Sequence, residues 1–249
     1  MLGNSGSEPF LSVRYLSCAY ASRPWGIFGK KEVKPVLDKV NLKIRHGEIF
    51  GLLGESGCGK TTLGKCILGL MDYEGEIFID GKKQKINPSY RERKEGAFKV
   101  EAVFQDSGAS LNPVKSVGWI LEEPLRAHGI GSARERMEKV DHMLELMGLD
   151  HSFKNRKPGE LSSGQKQRVS IGAALMLNPG LIVADEPVSA LDVSVGAQIL
   201  NLFRDLNKRL GLALLFISHN LDLVNYLCDS VAILQNGHIG ETERFDENF

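Results

Sequence analysis

The sequence predicts an α/β protein with a mostly parallel sheet core, an antiparallel β region at its N-terminus and an inserted α-helical subdomain. Three patterns support this prediction. Apolar and polar residues alternate near the start, apolar residues repeat at helical spacing in the middle, and short apolar runs typical of buried strands alternate with helical patterns towards the end. The 249 residues are enough for one large domain with such an insertion. We therefore expect a single domain over residues 1–249.

The N-terminal β region is predicted from short runs of alternating apolar residues at 11–16, 41–44 and 49–53. Residues 21–35 separate the first two runs and are rich in glycine and proline, which indicates a loop or a loose hairpin. A further strand is predicted at 77–79, before an Asp-Gly turn pair.

The helical subdomain is predicted after a strand at 100–104. Its apolar residues repeat at helical spacing, as in Met137, Val140, Leu144 and Met147. We place the insertion at residues 105–158 and interpret the methionines as core residues.

Strands and helices alternate after residue 161. The apolar runs 181–184 and 213–217 are typical of buried strands, and the helical pattern between them favours a parallel sheet. The runs 231–234 and 238–241 flank an Asn-Gly pair and predict a closing hairpin.

Composition excludes several classes of function. Lysine and arginine together number 31, as do aspartate and glutamate, so the net charge is zero and we expect no nucleic-acid partner. No apolar run approaches the roughly 20 residues that a membrane helix needs. The N-terminus lacks the pattern of a secretory signal, so we expect the chain to stay in the cytoplasm.

A phosphate-binding loop is predicted directly after the strand at 49–53. The pattern is G-x-x-x-x-G-K-[ST], followed by a helix-like stretch. In this motif backbone N–H groups surround the phosphates, the lysine reaches the β and γ oxygens, and the hydroxyl can hold Mg²⁺. The predicted nucleotide-binding residues are Gly54, Glu55, Ser56, Gly57, Cys58, Gly59, Lys60, Thr61 and Thr62.

Two carboxylates end the apolar run 181–184. Asp185 suits Mg²⁺ coordination, usually through water, and Glu186 suits the general base or the residue that orients the attacking water. Together with the phosphate loop, this pair predicts a P-loop nucleotidase.

The cysteines, Cys18, Cys58, Cys66 and Cys228, show no spacing typical of a metal site or a disulfide framework. We expect reduced and mostly structural thiols. Cys58 differs because it lies inside the phosphate loop, where oxidation or alkylation would abolish nucleotide binding.

The segment Leu161-Ser-Ser-Gly-Gln-Lys-Gln-Arg168 resembles the LSGGQ signature of ABC transporter ATPases. Ser162 and the Gly164 N–H at a helix start would form an anion site. The resemblance implies that Ser162, Ser163, Gly164 and Gln165 close over an ATP held by a second ATPase subunit in a head-to-tail dimer.

Other elements of that family also match. Tyr20 stands where the adenine-stacking aromatic is expected, Gln105 matches the Q-loop, Asp192 ends the D-loop, and His219 matches the switch histidine. The resemblance thus implies catalytic roles for Glu186, His219, Lys60 and Gln105. It implies ATP as the nucleotide, and Mg²⁺ held by Thr61, Gln105 and Asp185.

Residues 103–113 and 185–194 look like the peptide and nickel importer branch of the family. The branch implies a peripheral subunit at the cytoplasmic face of the membrane. Its partners would be a second, non-identical ATPase subunit, two transmembrane permease subunits and an extracytoplasmic substrate-binding protein. The sequence stops at Phe249 without a proline-rich extension, so our expectation leans towards a nickel or metallophore cargo over peptides.

Two departures from the family pattern stand out: Ser163 replaces the first glycine of the signature, and Asn220 replaces the aspartate that commonly follows the switch histidine. Ser163 motivates one alternative, a hydrolytically weak regulatory subunit. The other alternative is a soluble ABC ATPase of translation or DNA maintenance. Such proteins usually carry two ATPase units or a long coiled coil, and this sequence has one unit and no sustained heptads.

Overall fold

The computed structural model describes residues 8–22, 32–86, 99–105 and 111–245. The chain divides into two compact units. The first comprises residues 1–93 and 213–249, and the second comprises residues 94–212.

The first unit contains a four-stranded antiparallel sheet made of β1 (Leu11–Ser22), β2 (Glu32–Ile44), β4 (Glu74–Ile79) and β5 (Lys82–Lys83). The strand order is β2-β1-β4-β5. The buried face carries fully buried leucine and isoleucine side chains. The sheet confirms the predicted antiparallel region at the N-terminus.

Residues 21–35 were predicted to form a loop or a loose hairpin, and the described part of this segment agrees with the hairpin, whose strands extend further than predicted. β1 continues to Ser22 and β2 begins at Glu32, with Tyr20 paired to Lys34 and Ser22 paired to Glu32. Ladder hydrogen bonds are made by the backbone, so a strand can extend through residues that lack apolar alternation. The remaining residues, 23–31, lie outside the described part of the chain.

The first unit also contains parallel strands. β3 (Ile49–Leu53) lies between β8 (Ala213–Ser218) and β9 (Ser230–Gln235) and is parallel to both. β10 (His238–Ile239) and β11 (Glu243–Arg244) each pair antiparallel with β9, which confirms the closing hairpin. The helices are α1 (Lys60–Ile67) and α6 (Leu221–Leu227).

The second unit pairs two parallel strands, β6 (Val100–Val103) and β7 (Leu181–Asp185). Its helices are α2 (Val117–His128), α3 (Ala133–Leu146), α4 (Ser163–Leu175) and α5 (Val193–Leu210), with 3₁₀ turns at His151–Asn155 and Pro158–Glu160. Val140, Leu144 and Met147 are fully buried, as their helical spacing predicts, whereas Met137 is only half-buried. Within the ranges that the structure describes, no helix is both long and apolar enough to cross a bilayer.

Candidate functional site

The loop between β3 and α1 is shaped by its glycines. Gly57 and Gly59 have positive φ angles of 82° and 114°, which residues with a side chain rarely adopt. A Cβ on Gly59 would lie 2.9 Å from Leu37 Cδ2, and a Cβ on Gly54 would overlap the carbonyl oxygen of Leu234. The loop is therefore seated against β2 at Gly59 and against β9 at Gly54, and neither position has room for a side chain.

Lys60 is the first residue of α1 and is 7% exposed. Its Nζ donates hydrogen bonds to the carbonyl oxygens of Gly54 at 2.6 Å and Glu55 at 2.9 Å. The loop thus wraps around the ammonium group of Lys60. Positive charge at the N-terminus of a helix, where backbone N–H groups also converge, is an arrangement that binds phosphate.

The phosphate loop opens into a cleft of about 1830 Å³ within the first unit. The walls are formed by residues 17–20 of β1, 34–39 of β2, His219, and residues 233–238 around the β9–β10 hairpin. This volume is ample for a nucleoside triphosphate, because pockets for small ligands commonly measure about 300–1,000 Å³.

Tyr20 lies on the cleft wall, with 46% of its surface exposed. Its hydroxyl lies 3.3 Å from the Thr62 hydroxyl, and Thr62 belongs to the first turn of α1. A half-exposed aromatic ring beside a phosphate site offers a stacking surface for a nucleobase.

His219 reaches the same cleft through strand register. Leu53 pairs with Ser218 across the parallel strands β3 and β8, so the phosphate loop and His219 leave the sheet side by side. Asn220 then caps α6, because its Oδ1 accepts hydrogen bonds from the N–H groups of Asp222 and Leu223. Asparagine at this position therefore still starts the helix as an aspartate would.

In the second unit, Asp185 ends β7 and is 6% exposed, after four residues that are fully buried. Glu186 follows with a φ angle of 52° and is half-buried. Gln105 lies just after β6 and is exposed. The candidate residues Asp185 and Gln105 thus lie at or within two residues of the carboxyl ends of β7 and β6.

The signature residues form the start of α4. The Ser162 Oγ accepts a hydrogen bond from the Gln165 N–H, and the Ser162 N–H donates to Gln165 Oε1 at 3.0 Å. A Cβ on Gly164 would lie 2.5 Å from Val195 Cγ1, so a larger residue at this position would force the Val195 side chain to move. Ser163 is the exposed first residue of the helix and leaves this capping box intact.

The cysteines differ in their surroundings. Cys58 is half-exposed on the cleft wall, whereas Cys18, Cys66 and Cys228 are buried and all four are free thiols. Burial raises the pKa of each of the three buried thiols. The thiolate is the reactive form, so a raised pKa and burial both protect the other three cysteines from reaction. Cys58 is therefore the candidate for chemical modification.

The donor chemistry fits a hard cation. Among the described residues, no group of three histidine, cysteine or acidic side chains is arranged to hold a metal ion. Mg²⁺ commonly takes one or two protein oxygens and completes its shell with phosphate and water. The exposed Thr61 hydroxyl in the first unit, and the Asp185 carboxylate and Gln105 amide in the second, are oxygen donors of that kind.

Several cleft residues were not predicted from the sequence. Residues of β2 and of the β9–β10 hairpin line the cleft, and the Asp38 N–H donates to the Gly237 carbonyl oxygen at 2.9 Å. The Asn-Gly pair predicted the hairpin itself. The position of this hairpin beside the phosphate loop depends on the order of the strands in the sheet, which no local sequence pattern indicates.

Comparison with known proteins agrees with these observations. The family model described as ABC transporter matches residues 37–189. A putative peptide import ATP-binding protein of Brucella ovis is 46% identical over 234 residues, which cover 94% of this chain and 71% of that protein. The oligopeptide transport ATP-binding protein AppF of Bacillus subtilis is 44% identical over 240 residues, which cover 95% and 72%.

Solved structures show the same fold. The dimeric post-hydrolysis structure of the ATP-binding cassette MJ0796 with ADP and Pi has a TM-score of 0.82 at 30% identity, covering 96% of this chain and 100% of that chain. The structure of cbiO1 from Clostridium perfringens, part of the ABC transporter complex cbiONQ, has a TM-score of 0.81 at 27% identity, covering 96% and 89%.

Proposed function

This chain belongs to the ABC transporter family, and from that premise we propose that it is the ATP-hydrolysing subunit of an importer for peptides. The observation that carries the proposal is the single cleft that joins Tyr20, the phosphate loop and His219. The buried acidic strand end and the intact signature helix of the second unit add the remaining elements that the family uses.

In the first unit, each residue has a proposed role in binding ATP. Tyr20 stacks on the adenine, and residues 54–62 surround the phosphates with backbone N–H groups. Lys60 moves its hydrogen bonds from the loop carbonyls to the β and γ oxygens, which neutralises charge there. His219 contacts the γ-phosphate.

In the second unit, Glu186 accepts a proton from the attacking water or orients that water. Gln105 and Asp185, with Thr61 of the phosphate loop, are the residues that would hold Mg²⁺. The ion would neutralise charge on the β and γ oxygens when bound.

The signature helix is proposed to act on a partner's nucleotide. Ser162, Ser163, Gly164 and Gln165, followed by Asp192, would complete an ATP site on a second ATPase subunit in a head-to-tail dimer. The exposed position of Ser163 and the intact capping box support a working signature. We therefore prefer an active subunit to a hydrolytically weak one.

The names of the relatives support the proposed cargo, and the resemblance to the importer branch supports the proposed partners. Both curated relatives are named for peptide or oligopeptide transport, which favours peptides over nickel or other metal chelates. The proposed partners are a second, non-identical ATPase subunit, two membrane permease subunits and an extracytoplasmic binding protein. This chain would lie at the cytoplasmic face of the membrane.

The experiment that tests the proposal is an ATPase assay on the native complex in lipid. The binding protein is supplied empty, loaded with peptides, or loaded with a nickel chelate. We expect stimulation by the peptide-loaded form alone. Stimulation by the nickel form alone would overturn the cargo, and a complex without ATPase activity under every condition would overturn the enzymatic role.

A further inference from the structure

A lysine lies beside the residue that is proposed to stack on the nucleotide base. Tyr20 of β1 is paired directly with Lys34 of β2 in the antiparallel register. Residues that are directly opposed in such a pair have their side chains on the same face of the sheet, with Cβ atoms about 4.5–5.5 Å apart. Both residues are exposed, and both line the cleft. The Lys34 side chain is therefore a neighbour of any group that rests on the Tyr20 ring.

The strand that carries Lys34 also passes over the phosphate loop. Side-chain atoms of Val36 and Leu37 would lie 3.2 Å and 2.9 Å from a Cβ placed on Gly59. Lys34 precedes Val36 by two residues, which is no more than about 7 Å along a strand. Lys34 thus lies between the part of β2 that contacts the phosphate loop and the end of the strand, on the same wall of the cleft.

The orientation of the Tyr20 ring defines where a stacked base would lie. Its hydroxyl is 3.3 Å from the Thr62 hydroxyl, so the ring extends from β1 towards the first turn of α1. A base on the face of this ring would have one of its edges turned towards β2, the strand that is hydrogen-bonded to β1. Lys34 is the residue of β2 that is paired with Tyr20, so its side chain is placed to meet that edge.

The chemistry of the two groups is complementary. A lysine ammonium group has three hydrogen-bond donors and no acceptor. A purine offers ring nitrogens such as N3 and N7 as acceptors along its edges. Lys60 differs from Lys34 in its surroundings, because Lys60 is buried and bonded to the carbonyl oxygens of the phosphate loop. The two lysines of the cleft therefore suit different parts of a nucleotide.

We propose that Lys34 is a second recognition residue for the nucleotide base: its ammonium group donates a hydrogen bond to an acceptor nitrogen at the edge of the purine that stacks on Tyr20. The inference rests on the proposed stacking role of Tyr20. Lys34 touches no reacting atom in this account. It contributes to the affinity for nucleotide and leaves the chemical step unchanged.

The test compares the binding of ATP and of inorganic triphosphate to the full chain by titration calorimetry. Lys34→Met removes the ammonium group and keeps an unbranched side chain, so the affinity for ATP should fall about three- to tenfold. The affinity for triphosphate should not change, because this ligand has no base. Lys34→Arg keeps a cationic donor and should restore most of the affinity. Lys34 is exposed, so neither change threatens folding.

Lys43→Met is the matched control. Lys43 is an exposed lysine of the same strand and is not among the residues that line the cleft, so its replacement removes the same charge without removing the donor. This variant should bind both ligands as the wild type does. Equal weakening of ATP and triphosphate by Lys34→Met would overturn the inference, because Lys34 would then act through its charge on the phosphates. Wild-type affinity for ATP in that variant would overturn it as well.

A double substitution separates this role from that of Tyr20. Lys34 acts on a base that Tyr20 holds, so adding Lys34→Met to Tyr20→Ala should weaken ATP binding less than it does in the wild type. The same fold-change in both backgrounds would mean that the two residues act independently, which contradicts the inference. If Tyr20→Ala alone binds ATP with wild-type affinity, the proposed role of Tyr20 fails, and the inference about Lys34 fails with it.

Discussion

The hydroxyl of Tyr20 lies 3.3 Å from the hydroxyl of Thr62, so the aromatic residue on β1 is tied to the first turn of the helix that follows the phosphate loop. The two ends of the proposed nucleotide site are therefore linked within one unit. This contact helps to hold the ring on the cleft wall.

Replacing Tyr20 should affect recognition of the base and spare recognition of the phosphates. Tyr20→Ala removes the stacking surface, and we expect ATP affinity to fall roughly 5- to 150-fold, because stacking of a base on an aromatic side chain contributes about 1–3 kcal/mol. Tyr20→Phe keeps the ring and loses the bond to Thr62, so its loss should not exceed about tenfold. Titration calorimetry with ATP and with inorganic triphosphate checks this. Equal weakening of both ligands would contradict stacking.

Gly54→Ala should disrupt the phosphate loop. The added Cβ would overlap the Leu234 carbonyl oxygen and lie 2.8 Å from Cys58 Sγ. We expect a loss of about 1–3 kcal/mol in the free energy of unfolding, together with weaker ATP binding. Gly240→Ala is the matched control, because its Cβ would lie 3.8 Å from the nearest atom outside its chain neighbours. Similar losses in the two variants would show that the seating of the loop against β9 is unimportant.

Cys58 should be the first cysteine to react with a maleimide at neutral pH. It is half-exposed in the cleft, whereas burial keeps the other three thiols protonated by raising their pKa. ATP at ten times its Kd should slow the labelling of Cys58 about tenfold, since the bound fraction then shields the loop. Mass spectrometry of peptides identifies the labelled residue. Prior labelling of Cys66 or Cys228 would contradict the structure.

Glu101 should make the folded protein less stable as the pH rises. Burial raises the pKa of this carboxyl group on β6 to about 7, although a hydrogen bond from the Ala102 backbone offsets part of the shift. Between about pH 4.5 and 7 the folded state holds a proton that the unfolded state has lost, so stability falls over this range. Glu101→Gln should remove this loss, which is on the order of 1–3 kcal/mol.

Chemical unfolding across that pH range checks the prediction for Glu101. The control is Glu123→Gln, because Glu123 is an exposed carboxyl group on α2. Its variant should keep the pH dependence of the wild type. An unchanged profile in Glu101→Gln would assign the pH dependence to other groups.

The sequence predicted most strands because their residues are buried in simple alternation or in apolar runs. Residues 49–53 match β3 fully, and residues 181–184 match all but the last residue of β7. The phosphate loop was predicted as a unit because its glycine spacing reflects backbone geometry at Gly57 and Gly59. These features depend on residues that are close together in the chain, so a local sequence pattern can predict them.

Features that depend on distant contacts could not be predicted. The ends of β1 and β2 are paired through backbone groups, and their side chains carry no apolar pattern. The seating of Gly54 against Leu234 joins residues far apart in the chain. The positive φ angle of Glu186 could not be predicted either, because a residue before proline normally adopts an extended conformation.

ATP binding and ATP turnover by a Glu186→Gln complex test the central claim most directly. The account predicts that ATP still binds with wild-type affinity, because the phosphate loop is untouched. Turnover should fall at least about a hundredfold, because a general base contributes 10²–10⁴ to such a step. Turnover at the wild-type rate in this variant would contradict the assignment of Glu186 and with it the proposed mechanism of hydrolysis.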